Sequence, residues 1–192
     1  MIDSDLLRQK HFLRAHFFAL NREQPAARRR AAARRAARRL ASRPAWRRAQ
    51  TVGLFLSLPR EIDTAPLIRA ARAAGKVIAV PVVFPEDRAL RFARLPMTRS
   101  ALRKNVHGVW EPRAPVWIDG LDLLIVPGAA FTRRGGRLGA GGGYYDRFLA
   151  GKSRPQTLGL CFDHQIAVRL PGASHDRRVD AVVTPGRVYS AR

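Results

Sequence analysis

The densest chemical signal in the chain is a glycine-rich stretch at residues 127–146, Pro127-Gly-Ala-Ala-Phe-Thr-Arg-Arg-Gly-Gly-Arg-Leu-Gly-Ala-Gly-Gly-Gly-Tyr-Tyr-Asp146. Six glycines fall between positions 135 and 143. Without Cβ atoms, successive backbone N–H groups can converge on one anion, and a following helix N-terminus would add partial positive charge. Arg133, Arg134 and Arg137 bring cations to the same place, Tyr144 and Tyr145 offer stacking surfaces, and Asp146 is a hard oxygen ligand suited to Mg²⁺. The spacing matches neither the P-loop, which closes on Gly-Lys-Ser/Thr, nor the dinucleotide fingerprint, which residues 139–144 break. Glycines alone would equally suit a flexible loop; the tyrosines and carboxylate beside them favour phosphate chemistry.

Further motifs along the chain carry a family resemblance. Residues 137–147, Arg137-Leu-Gly-Ala-Gly-Gly-Gly-Tyr-Tyr-Asp-Arg147, follow Ile125-Val-Pro-Gly-Ala-Ala-Phe131, and together they resemble the signature of the 5-formyltetrahydrofolate cyclo-ligases, also called methenyltetrahydrofolate synthetases. Lys10-His-Phe-Leu-Arg14 resembles the family's N-terminal Lys-x-x-Leu-Arg, and Leu56-Ser57 with Glu61-Ile62 its substrate-side segment. Gly108-Val-Trp-Glu-Pro112 resembles its Gly-x-x-Glu-Pro, and His175-Asp176 with Val179-Asp180 its C-terminal His-Asp motif. The resemblance implies ATP- and Mg²⁺-dependent cyclisation of 5-formyltetrahydrofolate to 5,10-methenyltetrahydrofolate through phosphorylation of the formyl oxygen, releasing ADP and phosphate.

Carried over residue by residue, it implies that Lys10, Arg14, Arg137 and the backbone of Leu138, Gly139, Ala140, Gly141, Gly142, Gly143, Tyr144 and Tyr145 hold ATP. Asp146 and Asp176 would bind Mg²⁺; Leu56 and Glu61 would line the folate pocket, with Tyr144 and Trp110 stacking on its rings; Arg137, Tyr144 and Asp146 would serve the reaction itself. Gly142 stands where some members carry lysine, so Arg14, Arg137 and the backbone would carry more of the phosphate charge. Each residue also has a plainer reading. Lys10 and Arg14 suit an exposed helical pair, Glu61 a carboxylate favouring the start of the next helix, Trp110 the core, and Asp176 an ordinary loop. His11, His16, His107, His164 and His175 lack metal-ligand spacing, and no nucleophile–base constellation is evident.

The elements that must position these groups follow from periodicity. Leu6, Leu7, Leu13, Phe17 and Phe18 predict an amphipathic helix over residues 5–20, with Lys10 and Arg14 one turn apart on a two-cation face. Residues 25–48 hold ten arginines and no acidic residue, and predict a second helix ending near Arg43-Pro44. Its stripe of Ala33, Ala36, Ala37, Leu40 and Ala41 can pack on a domain, leaving the arginines solvated; the other reading is an RNA- or membrane-binding arm, with Trp46 its one aromatic. Apolar runs predict strands at 51–57, 76–83, 89–95, 122–126, 158–162 and 181–184, with a helix at 64–74 closed by Gly75 and an irregular stretch at 96–119. This alternation predicts one three-layer α/β/α domain over residues 1–192, with a mainly parallel central sheet and the N-terminal helices packed on it.

Composition bounds the rest. With 192 residues, 46% of them hydrophobic, the chain can bury one sizeable core. Lys plus Arg number 36 against 14 acidic residues, a formal charge of +22, so the surface will attract polyanions without choosing among them. The apolar run at 77–84 is short and broken by Pro81, which excludes a membrane span there, and Asp3 and Asp5 do not fit a secretory leader. A cytoplasmic monomer with no obligate nucleic acid is expected, and Cys161 reads as a small buried residue. The alternatives are a non-catalytic RNA- or polyanion-binding protein using residues 28–48, or an ATP-using relative acting on another one-carbon or pterin compound.

Overall fold

In the computed structural model, which describes residues 4–106, 108–151 and 153–191, the first amphipathic pattern becomes helix α1 (Ser4–Glu23). Asp3 and His107 lie outside the described residues. Pro25 ends α1, because the residue before a proline avoids helical backbone, and it occupies the N-cap of α2 (Ala26–Ala41). The arginine-rich helix thus stops ahead of Pro44, which opens a short α3 (Pro44–Arg48) from the first-turn position that proline tolerates.

The chain continues through β1 (Thr51–Gly53), α4 (Ala65–Ala73), β2 (Val77–Phe84), β3 (Ala89–Arg94), β4 (Leu102–Lys104), β5 (Trp110–Pro112), β6 (Trp117–Ile118) and β7 (Leu123–Val126). Its last third adds β8 (Ala130–Thr132), β9 (Arg137–Leu138), α5 (Tyr144–Leu149), β10 (Gln156–Leu160), β11 (Ile166–Ala167), β12 (Ala181–Val183) and β13 (Val188–Ser190). Gly75, at φ 65°, ends α4: its N–H bonds to Arg72 and the Lys76 N–H to Ala71, both onto carbonyls the helix leaves unpaired.

The main sheet runs β13-β12-β10-β7-β1-β2-β3-β6. The five strands from β12 to β2 are parallel, and the edges are antiparallel. Parallel strands covered on both faces must be apolar throughout, as all four residues of β7 are. Alternate side chains divide between two cores: Leu123 and Ile125 pack with Ala36 and Leu40 of α2, Trp46 of α3 and Leu67 of α4, whereas Leu124 and Val126 pack with Leu149 of α5. Ala33, Ala36, Ala37 and Leu40 are buried while Arg28, Arg30, Arg34, Arg35 and Arg38 stay exposed.

Two expectations need correction. The stretch at 96–119 is not irregular, since β4 pairs with β5 and β6 extends the main sheet; strands of two or three residues are too short to display a period. The first strand stops at Gly53 rather than 57, because the chain leaves the sheet there to wall the crevice described below. From β1 the chain first builds β2 on one side, then returns to place β7 on the other. That reversal leaves a crevice beyond the carboxyl ends of β1 and β7, the place where open α/β sheets bind ligands.

Candidate active site

The crevice is a cavity of about 710 Å³. Its walls come from α1 (Lys10, Arg14), the segment after β1 (Leu56, Glu61), the glycine stretch after β7, and the loop bearing Asp176. Residues predicted from motifs up to 166 positions apart therefore meet, as the Lys10–Asp176 contact demonstrates. Trp110 is the exception. It sits on β5 with Arg99 and Lys104 at 4.8 and 5.3 Å from its ring, and does not line the cavity, although neighbouring Val109 does.

The cations are already partnered. Arg137, with only 3% of its side chain exposed, pairs with Asp146 at 2.7 Å, and Asp146 also accepts the Arg177 N–H at 3.0 Å. Lys10 is buried rather than part of an exposed pair, and donates to Asp176 at 2.5 Å; the same carboxylate oxygen accepts the Ala173 N–H at 2.7 Å. Burial alone would raise the Asp176 carboxyl, but the Lys10 and Ala173 hydrogen bonds outweigh it and hold the group below its ordinary range. Arg14 donates through Nε to the Gly139 carbonyl at 2.9 Å. Burial lowers its pKa while Asp176 and Asp146 oppose the shift, and a guanidinium stays charged throughout.

Between β9 and α5 the backbone turns through Gly141 at φ 118° and Gly143 at φ 67°, both left-handed. Elsewhere in the loop the glycines are needed for space: a Cβ on Gly139 would stand 2.6 Å from the Arg137 Nη1. Among the described residues, none of the N–H groups of residues 139–143 donates to a protein acceptor. α5 has six residues, so the anion-binding capacity lies in these loop N–H groups more than in the helix end expected to add to them. Arg147 braces the loop, donating at 2.6 Å to Gly142 and to Arg88.

Across the cavity, Glu61 accepts the Leu58 N–H at 2.8 Å, and burial raises its carboxyl above the usual range despite that bond and Arg60. It does not serve the start of α4, where Asp63 accepts the Ala65 N–H at 2.9 Å. Burial, reinforced by Glu61, pushes the Tyr145 phenol up against the opposing pull of Arg137, so the two walls are close enough to feel each other. Burial likewise pushes up the Cys161 thiol, in keeping with an inert core residue.

Sequence motifs missed the residues that hold these walls. Asn21, fully buried on α1, donates to the Arg60 carbonyl at 2.8 Å and accepts from His164 Nε2 at 2.5 Å. Gln24 Nε2 donates to His164 Nδ1 at 2.8 Å, which fixes the neutral tautomer. Next in sequence, Gln165 donates to the Ala129 carbonyl at 2.7 Å and the Gly128 carbonyl at 3.1 Å, securing the exit from β7. Arg29 reaches from α2 to the Pro59 and Glu61 carbonyls. The one available signal was Asn21 itself, a polar residue four positions after Phe17 on the apolar stripe.

Among the described residues there is no group of three or more His, Cys, Asp and Glu able to hold a metal ion. Mg²⁺ does not need one: it keeps waters and takes one or two carboxylates beside phosphate oxygens, which Asp146 and Asp176 fit. No described helix is long and apolar enough to cross a membrane.

A switch-point crevice with free N–H groups and cations on one wall, and apolar side chains with a single carboxylate on the other, defines an α/β protein shaped to bring an anionic ligand against an organic one. The chain belongs to the 5-formyltetrahydrofolate cyclo-ligase family, whose model matches residues 7–185. It is 37% identical over 147 residues to the 5-formyltetrahydrofolate cyclo-ligase of Escherichia coli strain K12, covering 73% of this chain and 81% of that one. The mouse 5-formyltetrahydrofolate cyclo-ligase is 28% identical over 151 residues, covering 72% and 74%. The NMR structure of Aquifex aeolicus 5,10-methenyltetrahydrofolate synthetase matches with a TM-score of 0.82 at 28% identity, over 95% of this chain and 93% of that one.

Proposed function

We propose that the protein is an ATP- and Mg²⁺-dependent 5-formyltetrahydrofolate cyclo-ligase. The observation that carries the reading is the run of N–H groups at residues 139–143 with no protein acceptor among the described residues, beside Lys10, Arg14 and Arg137 and facing Leu56 and Glu61 in one cavity. The formyl group on N5 is amide-like, so its carbon is a weak electrophile and its oxygen a poor leaving group. Transfer of the ATP γ-phosphoryl group forms an O–P bond to that oxygen and releases ADP. N10 then attacks the formyl carbon, the C–O electron pair leaves with phosphate, and the N10 proton passes to solvent. Phosphoryl transfer asks for positioning and charge neutralisation more than for a protein nucleophile.

In this reading Lys10, Arg14, Arg137 and the loop N–H groups take the phosphates. Asp146 and Asp176 hold Mg²⁺, which supplies further neutralisation of phosphate charge. Lys10 and Arg137 therefore exchange carboxylate for phosphate partners on binding. Leu56 and Tyr144 pack on the folate rings and Glu61 accepts from ring N–H groups; Trp110, outside the cavity, has no such part. The test is ATP- and Mg²⁺-dependent appearance of the near-ultraviolet absorbance of methenyltetrahydrofolate, run beside a panel of other formylated folates and pterins. Absence of turnover by folded protein, or faster turnover of another panel member, overturns the assignment.

A further inference from the structure

A second cavity, of about 770 Å³, shares Arg137, Ala173, Asp176 and Arg177 with the first. Three segments wall it, each carrying arginine: the turn between β8 and β9 (Arg133, Arg134), the chain after β11 (Arg169), and the segment following Asp176 (Arg177, Arg178). Backbone pairing fixes them together. β11 lies alongside β8 with Ala167 opposite Thr132, and the Val179 N–H donates to the Gly135 carbonyl at 3.0 Å. Gly135, at φ 77°, allows that approach, because a Cβ there would collide with the Val179 carbonyl.

All five arginines are exposed, and among the described residues none forms an ion pair. The one acidic residue in the wall, Asp176, is already taken by Lys10. Five cations thus converge on a concave surface with no protein counter-charge, and guanidinium forks match phosphate oxygens bidentately. The arginines of α2 differ: Arg28 to Arg38 spread over about 15 Å of helix and line neither cavity.

We propose that this second cavity is an anion site for a compact oligophosphate, separate from the glycine loop. The test is calorimetric titration with tripolyphosphate, with and without saturating ADP. It compares the wild type, a cavity variant (Arg133→Gln, Arg134→Gln, Arg169→Gln, Arg178→Gln) and a control that removes the same four charges from α2 (Arg28→Gln, Arg30→Gln, Arg34→Gln, Arg35→Gln). Every substituted residue is exposed, the half-buried Arg29 and Arg39 of α2 are left in place, and thermal melts verify folding. The wild type takes up one equivalent even with ADP present; the cavity variant binds at least about tenfold more weakly, and the control within about twofold. Equal losses in both variants reduce the effect to net charge and overturn the site, as does wild-type affinity in the cavity variant. Tighter binding of tri-γ-glutamate than of tripolyphosphate overturns the chemical class.

Discussion

Removing the Asp146 carboxylate separates its structural role from its proposed chemical one. The Arg137 side chain is 3% exposed, pairs with Asp146 at 2.7 Å, and has no other charged partner among the described residues. Deleting one member of a buried ion pair strands the other charge, at a cost of roughly 3–5 kcal/mol. In a chain of 192 residues each kcal/mol moves Tm by about 2–4 °C, so Asp146→Ala should melt roughly 6–20 °C lower. Asp146→Asn keeps an acceptor for Arg137 and for the Arg177 N–H and loses the charge alone, about 1–2 kcal/mol, or a fall of roughly 2–8 °C. Replacing both partners, Arg137→Met with Asp146→Leu, should recover much of the stability, because a matched apolar pair is often neutral or better. Turnover should not recover: each of the three variants loses about a hundredfold or more in kcat/KM for ATP. Circular-dichroism melts, and initial rates taken at about 15 °C where all variants stay folded, measure the two effects separately. Near-wild-type rates in Asp146→Asn, or activity restored in the double variant, would refute the chemical role.

Other perturbations follow from the same geometry. Gly143→Ala forces a left-handed residue at φ 67° and costs about 1–2 kcal/mol, so Tm should fall and KM for ATP rise; an unchanged KM counts against the loop as the phosphate site. Burial raises Glu61, so its carboxyl protonates on acidification at a higher pH than an ordinary glutamate. KM for folate should climb on that acid limb, and Glu61→Gln should abolish the pH dependence. The sign for stability is opposite: between its unfolded value of 4.5 and its raised folded value the native state binds the extra proton, so stability falls as pH rises through that window, and Glu61→Gln removes the slope in chemical melts. Asn21→Ala leaves the Arg60 carbonyl and the His164 N–H without partners, at about 1–3 kcal/mol each, and loosens the Glu61 wall. KM for folate should rise about tenfold with KM for ATP within twofold; equal shifts in both would contradict a wall-specific role.

The glycine stretch was legible because its pattern is local: glycines, tyrosines and a carboxylate fall within a few residues, and the structure needs those glycines for backbone conformation and space. Helix α2 was legible because alanine periodicity and flanking prolines are local too. Lys10 was harder. Helical spacing placed it on an exposed cationic face, whereas it is buried against Asp176, a partner only the folded chain supplies. The strand order, and with it the switch point that creates the cavity, depends on long-range pairing that no window of sequence contains. The bracing by Asn21, His164 and Gln165 was invisible for the same reason, since each reaches a backbone or side-chain partner in a distant segment. Trp110 lay at a variable position inside a matching motif, but its ring turns to Arg99 and Lys104.

In the proposed reaction the glycine-loop cavity activates the formyl oxygen as a phosphate ester. Substrate carrying ¹⁸O in the formyl group tests it directly when the orthophosphate released with ATP and Mg²⁺ is examined by mass spectrometry. Phosphorylation of that oxygen predicts one ¹⁸O atom in each phosphate formed. Unlabelled phosphate, with the label found in water, would contradict it.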